Sequence, residues 1–155
     1  MNKHLKTLVT VLLAVVFAVI AVTALTACEK EGVFGKDDTM TLVIGTEEPA
    51  EYEIKLDGLS VECNLVDVLG AAKKQFGIEY VIADGMLSEV GKLKPDSTKG
   101  EYIYLFTTVE ADFDVSEYVL KKTYKETALT SSGVGASDMT ILAGCTVYIG
   151  TIVYG

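Results

Sequence analysis

The chain has 155 residues, of which 50% are hydrophobic, and its formal net charge is −9 at pH 7. This length suits one domain of ordinary size with a single hydrophobic core. Because an acidic chain repels the phosphates of DNA and RNA, we expect no nucleic-acid partner.

The first 27 residues have the pattern of an export signal. Lys3 and Lys6 come before an apolar stretch from Leu8 to Ala27 that contains no charged side chain, and a basic start followed by such a stretch is typical of a signal peptide. The stretch ends in the letters LTAC, which resemble the bacterial lipobox, whose cysteine accepts a diacylglycerol thioether before cleavage. We therefore predict a lipoprotein signal peptide at residues 1–27 and a lipid on Cys28.

The alternative is an uncleaved apolar helix, since a stretch of about 20 residues is nearly long enough to span a bilayer. In both cases the two lysines hold the N-terminal flank in the cytoplasm, and the residues after Cys28 lie outside. The predicted location is the cell membrane, with the protein lipid-anchored and facing the extracytoplasmic side.

The exported part is more acidic than the whole chain. Removal of residues 1–27 takes away two lysines and no acid, which leaves 11 basic and 22 acidic side chains and a net charge of −11. Residues 28–39 are rich in charge and contain two glycines, a composition that favours a flexible tether behind the lipidated cysteine. The folded domain is then expected at residues 40–155.

A strand pair and one helix open this domain. The run from Met40 to Gly45 predicts a first strand, and the strict alternation from Glu51 to Gly58 predicts a second, so we expect the two to form a hairpin. Asn64 is placed to cap a helix at residues 65–76, in which apolar residues recur at steps of three and four, and Gly77 marks its end.

The rest of the domain reads as strands. We predict a strand at 78–85 that closes in an Asp-Gly turn, an apolar central strand at 101–109, and one long strand at 117–129. A loop is expected at 133–137 and a final strand at 146–154. A strand hairpin, one helix and then several strands predict an α+β fold, in which a grasp-like mixed or antiparallel sheet packs on one helix.

Three segments resemble a known family. They are "NLVDVLGAAKK" from Asn64 to Lys74, "GEYIYLF" from Gly100 to Phe106, and "GVGASDMTILAGCTVYIGTIVY" from Gly133 to Tyr154. Together they are similar to the transcobalamin-like C-terminal domain, which is found in bacterial surface proteins and as the β-rich domain of vertebrate cobalamin carriers. The resemblance implies that the domain sits beside a corrinoid.

Aromatic residues are the candidate ligand-binding side chains. Tyrosine offers a rigid apolar face with a polar tip, which suits a planar or ring-shaped ligand. We predict that a small ring-containing ligand, such as a corrinoid, is bound by the aromatic strand and the last strand, and the net charge disfavours anionic ligands. The predicted contact residues are Tyr102, Tyr104, Phe106 and Tyr148, and the other tyrosines of the strand-rich half that offer such a face are Tyr118, Tyr124 and Tyr154.

Catalysis, cofactors and metals are not expected. The only histidine, His4, lies in the signal, and the chain has no arginine, so a nucleophile would lack its usual base. Glu110, Asp112 and Asp114 alternate like cation ligands, but the segment lacks the turn glycine and the distal glutamate of a calcium loop. We expect a solvated acidic loop there.

Two cysteines, Cys63 and Cys145, remain once Cys28 is modified. Export permits a disulfide between them, but spacing alone does not fix a pairing, and their places before the helix and before the last strand need not be adjacent. We predict two free, buried thiols.

The sequence thus predicts a lipid-anchored extracytoplasmic module that binds a small ligand or assists an envelope transporter. The alternative is a structural or protein-interaction domain of the cell envelope without a small-molecule ligand. A deep pocket lined by the predicted tyrosines would favour the first function, whereas an open sheet edge or a flat apolar patch would favour the second.

Overall fold

A six-stranded sheet dominates the computed structural model, which describes residues 32–154. The sheet has the order β2-β1-β8-β5-β7-β6, and β3 and β4 form a separate two-stranded sheet. The bounds are β1 Thr39–Ile44, β2 Ala50–Lys55, α1 Leu65–Phe76, β3 Tyr80–Ala83, β4 Met86–Val90, β5 Glu101–Thr107, β6 Lys121–Tyr124, β7 Thr127–Ser131 and β8 Thr146–Val153, with short 3-10 turns at Ser97–Lys99 and Glu110–Asp112.

The pairing of the strands makes the sheet mixed. β1 runs parallel to β8, and the other neighbouring pairs are antiparallel. Within the described residues α1 is the one α-helix, so the predicted α+β class with a mixed sheet and a single helix is confirmed. β5 lies between β8 and β7, which confirms the central position predicted from its apolar sequence.

Local signals define both ends of α1. The Asn64 side chain accepts hydrogen bonds from the backbone N–H groups of Val66 (2.9 Å) and Asp67 (3.2 Å), and the Asp67 carboxylate accepts one from the Asn64 N–H (3.0 Å). This reciprocal capping box satisfies donors that a helix start leaves free. At the other end Gly77 adopts φ 71° and donates to the Lys73 carbonyl, as a left-handed C-terminal cap does. The predicted helix bounds are confirmed.

The helix covers one face of the sheet. Its buried residues recur at three- and four-residue steps and pack against alternate residues of β1, β2 and β8. The residues of α1, β1, β2 and β8 in this core that are less than 1% exposed are Leu42, Ile54, Leu65, Val68, Leu69, Ala72, Val147 and Ile149.

The predicted long strand at 117–129 is wrong. The chain instead turns at Lys125 and Glu126, so that β6 and β7 form an antiparallel hairpin in which Tyr124 pairs with Thr127. Lys125 adopts φ 52°, a left-handed backbone conformation that glycine and asparagine adopt most readily. Because neither residue stands at this turn, no local pattern predicts a turn there.

The predicted strand at 78–85 is one half of a hairpin. Its Asp84-Gly85 turn is confirmed, with φ values of 52° and 79°. β4 follows the turn and pairs with β3, and this second strand was not predicted.

The two described cysteines, Cys63 and Cys145, are free and buried, as predicted. Burial raises the pKa of the Cys63 thiol from 9.0 to about 11, with smaller contributions from the charges of Asp67 and Cys145. Both residues belong to the hydrophobic core on the helix side.

Candidate functional site: a tyrosine-lined groove

The predicted ligand-binding residues share the sheet face that points away from the helix. Tyr102, Tyr104 and Phe106 alternate along β5, and alternate residues of a strand point to the same face. Phe106 pairs directly with Tyr148 on β8, so Tyr148 lies on that face too. We call this the aromatic face.

Aromatic rings contact one another along this face. The ring centroids of Tyr104 and Phe106 are 5.3 Å apart, those of Phe106 and Tyr148 are 6.1 Å apart, and those of Tyr148 and Tyr124 are 5.7 Å apart. Tilted or edge-on pairs at such distances are the arrangement that ring quadrupoles prefer. A second pair, Tyr102 and Tyr154, has its centroids 6.1 Å apart.

Two of the four predicted residues are buried. Tyr148 is 2% exposed and Phe106 is 7% exposed, and they form a small core with Val43 and Leu129. These two rings therefore offer almost no surface to a ligand. Tyr102, in contrast, is 45% exposed.

Curling of the sheet explains this burial. β2 and β6 are the two outer strands of the sheet, yet Lys125, at the tip of the β6–β7 hairpin, forms a 2.6 Å ion pair with Glu51 of β2. The Lys122 ammonium lies 4.4 Å from the centroid of the Tyr148 ring. The hairpin thus folds over the aromatic face and closes it above Tyr148.

The open part of the aromatic face is a groove of about 640 Å³, the tyrosine groove. Tyr104, Ile152 and Tyr154 line it from the sheet. The opposite wall is the loop at 114–120, which contributes the acidic residues Asp114 and Glu117 and the apolar residues Tyr118, Val119 and Leu120. A volume between about 300 and 1,000 Å³ is typical of small-molecule sites.

Ser131 fixes both ends of the loop that forms this wall. Its carbonyl accepts a hydrogen bond from the Asp114 N–H (2.8 Å), and its hydroxyl accepts one from the Leu120 N–H (2.8 Å). The Ser131 N–H donates in turn to the Leu120 carbonyl (2.9 Å). Ser131 is a fully buried residue of β7, so these hydrogen bonds attach the wall of the groove to the sheet.

Acidic charge and phenol groups set the electrostatics of the groove. The Ser116 backbone N–H donates to the Asp114 carboxylate (2.8 Å). This bond and one from the Ser116 side chain lower the pKa of Asp114, so the group is ionised at neutral pH. Partial burial raises the pKa of Tyr154, and the Tyr104 phenol and the Asp114 charge raise it further. The three side chains are therefore close neighbours.

The solvated acidic loop predicted from Glu110 to Asp114 is wrong at Asp112. Asp112 is 5% exposed, and its carboxylate accepts hydrogen bonds from the backbone N–H (2.6 Å) and the hydroxyl (3.0 Å) of Thr140. Asp112 thus ties the 3-10 turn to the loop before β8. Among residues 32–154 no cluster of three or more His, Cys, Asp or Glu is arranged to hold a metal ion.

Sequence reasoning missed part of the groove. Tyr104 was predicted as a contact, and Tyr118 and Tyr154 belonged to the wider set of tyrosines. No sequence pattern indicates that Glu117 or Ile152 belongs to a site. The loop at 114–120 has no regular apolar period, and it reaches β8 only in the folded chain. The predicted lipidation site, Cys28, and the predicted signal peptide lie outside the described residues. No helix within 32–154 is long and apolar enough to cross a membrane.

Comparison with known proteins supports the fold. No protein-family model and no curated protein sequence matches this chain. Among solved structures, the chain is similar to haptocorrin, determined in complex with Cbi, with a TM-score of 0.53 and 11% sequence identity. The match covers 80% of this chain but 27% of the haptocorrin chain. At this identity the similarity shows a shared fold, and this chain spans about a quarter of its neighbour.

Proposed function

We propose that the protein is a lipid-anchored, extracytoplasmic module that binds a small ring-containing molecule and delivers it to an envelope transporter. The domain would be a grasp-like member of the transcobalamin-like C-terminal family. The tyrosine groove is the observation that carries the proposal.

The groove has the properties that such a ligand needs. Tyr104, Tyr118 and Tyr154 supply apolar ring surface with hydroxyl groups at the tips, and Leu120 and Ile152 add aliphatic surface. The wall is held in place by Ser131 before any ligand arrives, which reduces the entropy lost on binding. The haptocorrin fold, determined with Cbi bound, makes corrinoids the first ligands to test. We include no catalysis, because the chain has no arginine and its one histidine, His4, lies in the signal.

Calorimetric titration of the detergent-solubilised full chain tests the proposal with a panel of corrinoids, haem and neutral sugars. We expect saturable binding of at least one compound. Tyr118→Ala should weaken it by about 2- to 10-fold, since a lost ring contact is worth about 0.5–1.5 kcal/mol. Tyr118 is 75% exposed, so the variant should keep its fold. Val81→Ala, an exposed apolar truncation on β3, is the control and should bind as the wild type does. Failure of every compound to bind would reject the proposal.

The lipid anchor has its own test. Mass spectrometry of membrane-extracted protein should find an acylated peptide that begins at Cys28, and Cys28→Ala should block processing. Two acyl chains would hold the protein stably, whereas one holds a protein only marginally. Recovery of an intact peptide from Met1 through Cys28 in the wild type would instead support an uncleaved helix.

One observation favours the alternative, a protein-interaction domain. β5 pairs with β7 only at Phe106 and Thr107. Because the Glu101 N–H and the Leu105 carbonyl are hydrogen-bonded to other segments, the open edge in the described part of the chain is the segment at 102–104. It borders a second groove of about 240 Å³ that includes Met86, which is 67% exposed. An open edge can accept a strand of another protein. Recovery of a specific envelope protein by the wild type but not by Met86→Asp, with no small ligand bound, would select this function.

A further inference from the structure

We propose that the ligand of the tyrosine groove is an organic cation, in which an ammonium group is attached to the ring. This inference rests on the proposed function and adds the charge of the ligand. It follows from the side chains that line the groove and from the way this protein's own ammonium groups are placed.

The charged side chains of the groove are all acidic. Asp114 and Glu117 line it, and no lysine does so among the described residues. Asp114 is held in place by the Ser116 N–H at 2.8 Å, so its charge has a fixed position in the wall. Two carboxylates beside an apolar surface attract a cation and repel an anion.

The aromatic lining suits the same ligand. Tyr104, Tyr118 and Tyr154 line the groove, and the quadrupole of a tyrosine ring attracts a cation that lies over its face. Such a contact is worth about 0.5–1 kcal/mol at an exposed site and about 2 kcal/mol when water is excluded. Aromatic rings combined with carboxylates are the chemistry by which proteins bind ammonium groups.

Neighbouring rings already bind lysine ammonium groups within the protein. Lys122 lies 4.4 Å from the centroid of Tyr148, Lys121 lies 5.3 Å from that of Phe113, and Lys125 lies 5.4 Å from that of Tyr124. Within residues 32–154 no lysine takes this position over the three tyrosines of the groove. Where the β6–β7 hairpin covers the aromatic face, lysine ammonium groups of the hairpin lie over the rings. Where the face is open, the tyrosine rings are available to the ammonium group of a ligand.

Three ring compounds that differ mainly in charge test the inference. They are benzylammonium, benzyl alcohol and benzoate, titrated calorimetrically into the full chain at pH 7. We expect the cation to bind about 5- to 10-fold more tightly than the alcohol, since one favourable charge contact near 4 Å in water is worth about 1 kcal/mol. Benzoate should bind most weakly.

Charge-neutralising variants locate the effect. Asp114→Asn and Glu117→Gln should each reduce the preference for benzylammonium over benzyl alcohol by at least about 3-fold. Glu53→Gln is the matched control, because it removes one exposed charge from β2, outside the groove. This control should retain the full preference.

The outcomes separate the two proposals. Equal binding of the alcohol and the cation would overturn the cation inference and leave a ring-binding groove intact. An equal loss of preference in Glu53→Gln and Asp114→Asn would also overturn it, since the effect would then come from net charge. If none of the three compounds and no member of the wider panel binds, both proposals fail.

Discussion

Truncation of Tyr148 should destabilise the fold rather than remove a ligand contact. Tyr148 is 2% exposed, and removal of a buried aromatic side chain to alanine costs about 3–5 kcal/mol. Its ring contacts Phe106 and Tyr124 at centroid distances of 6.1 Å and 5.7 Å and receives the Lys122 ammonium at 4.4 Å. Because the loss of these contacts adds to the loss of buried apolar area, we expect the free energy of unfolding to fall by about 4 kcal/mol. This is a large part of the 5–15 kcal/mol typical of a domain.

Denaturant and thermal unfolding, followed by circular dichroism, measure this loss. For a domain of this size about 4 kcal/mol corresponds to a fall in Tm of roughly 10–20 °C. Tyr118→Ala is the matched comparison, because Tyr118 is 75% exposed and its loss should change stability by no more than about 0.5 kcal/mol. If Tyr148→Ala kept the wild-type unfolding midpoint and lost ligand binding, the assignment of Tyr148 to the core would be refuted.

Three further predictions follow from local geometry. Because the pKa of Cys63 is raised to about 11, alkylation of this thiol at pH 8 should be roughly 100-fold slower in the folded than in the unfolded protein, and it should accelerate as the pH rises towards 11. Equal alkylation rates in the two states would contradict burial of the thiol. Ser131→Ala removes the acceptor of the Leu120 N–H, so it should lower the free energy of unfolding by about 1–3 kcal/mol and weaken ligand binding in calorimetry. Unchanged binding would show that the position of the loop does not depend on this hydrogen bond. Gly100→Ala should lower the thermal midpoint, because Gly100 has φ 72° and an added Cβ would collide with the Tyr154 carbonyl oxygen; a wild-type midpoint would show that the C-terminal end of β8 yields easily.

Local interactions are the reason that parts of the fold were predictable. The cap at Asn64, the glycine at Gly77 and the three- and four-residue apolar steps between them act within a few residues, so the helix bounds follow from the chain alone. The Asp84-Gly85 turn and the final strand are likewise local features. The β6–β7 hairpin escaped prediction because Lys125 takes a left-handed conformation without the residues that favour it.

The candidate site was only partly predictable. Alternation along β5 correctly places Tyr102, Tyr104 and Phe106 on one face, and the register brings Tyr148 beside them. Which of these rings reaches solvent depends on how far the sheet curls, and that curl depends on contacts between strands distant in sequence, such as the ion pair between Lys125 and Glu51.

The sequence by itself determined the helix, most of the strands, the acidic character of residues 28–155 and the grouping of tyrosines on two strands, because each depends on residue type and short-range spacing. Only the tertiary structure decided that Phe106 and Tyr148 are core residues and that Asp114, Tyr118 and Tyr154 meet in one groove. That groove joins a loop to the ends of two strands, and Ser131 holds the loop there. Such contacts join residues that are far apart in sequence, so they form only when the whole sheet is assembled and no local sequence pattern predicts them.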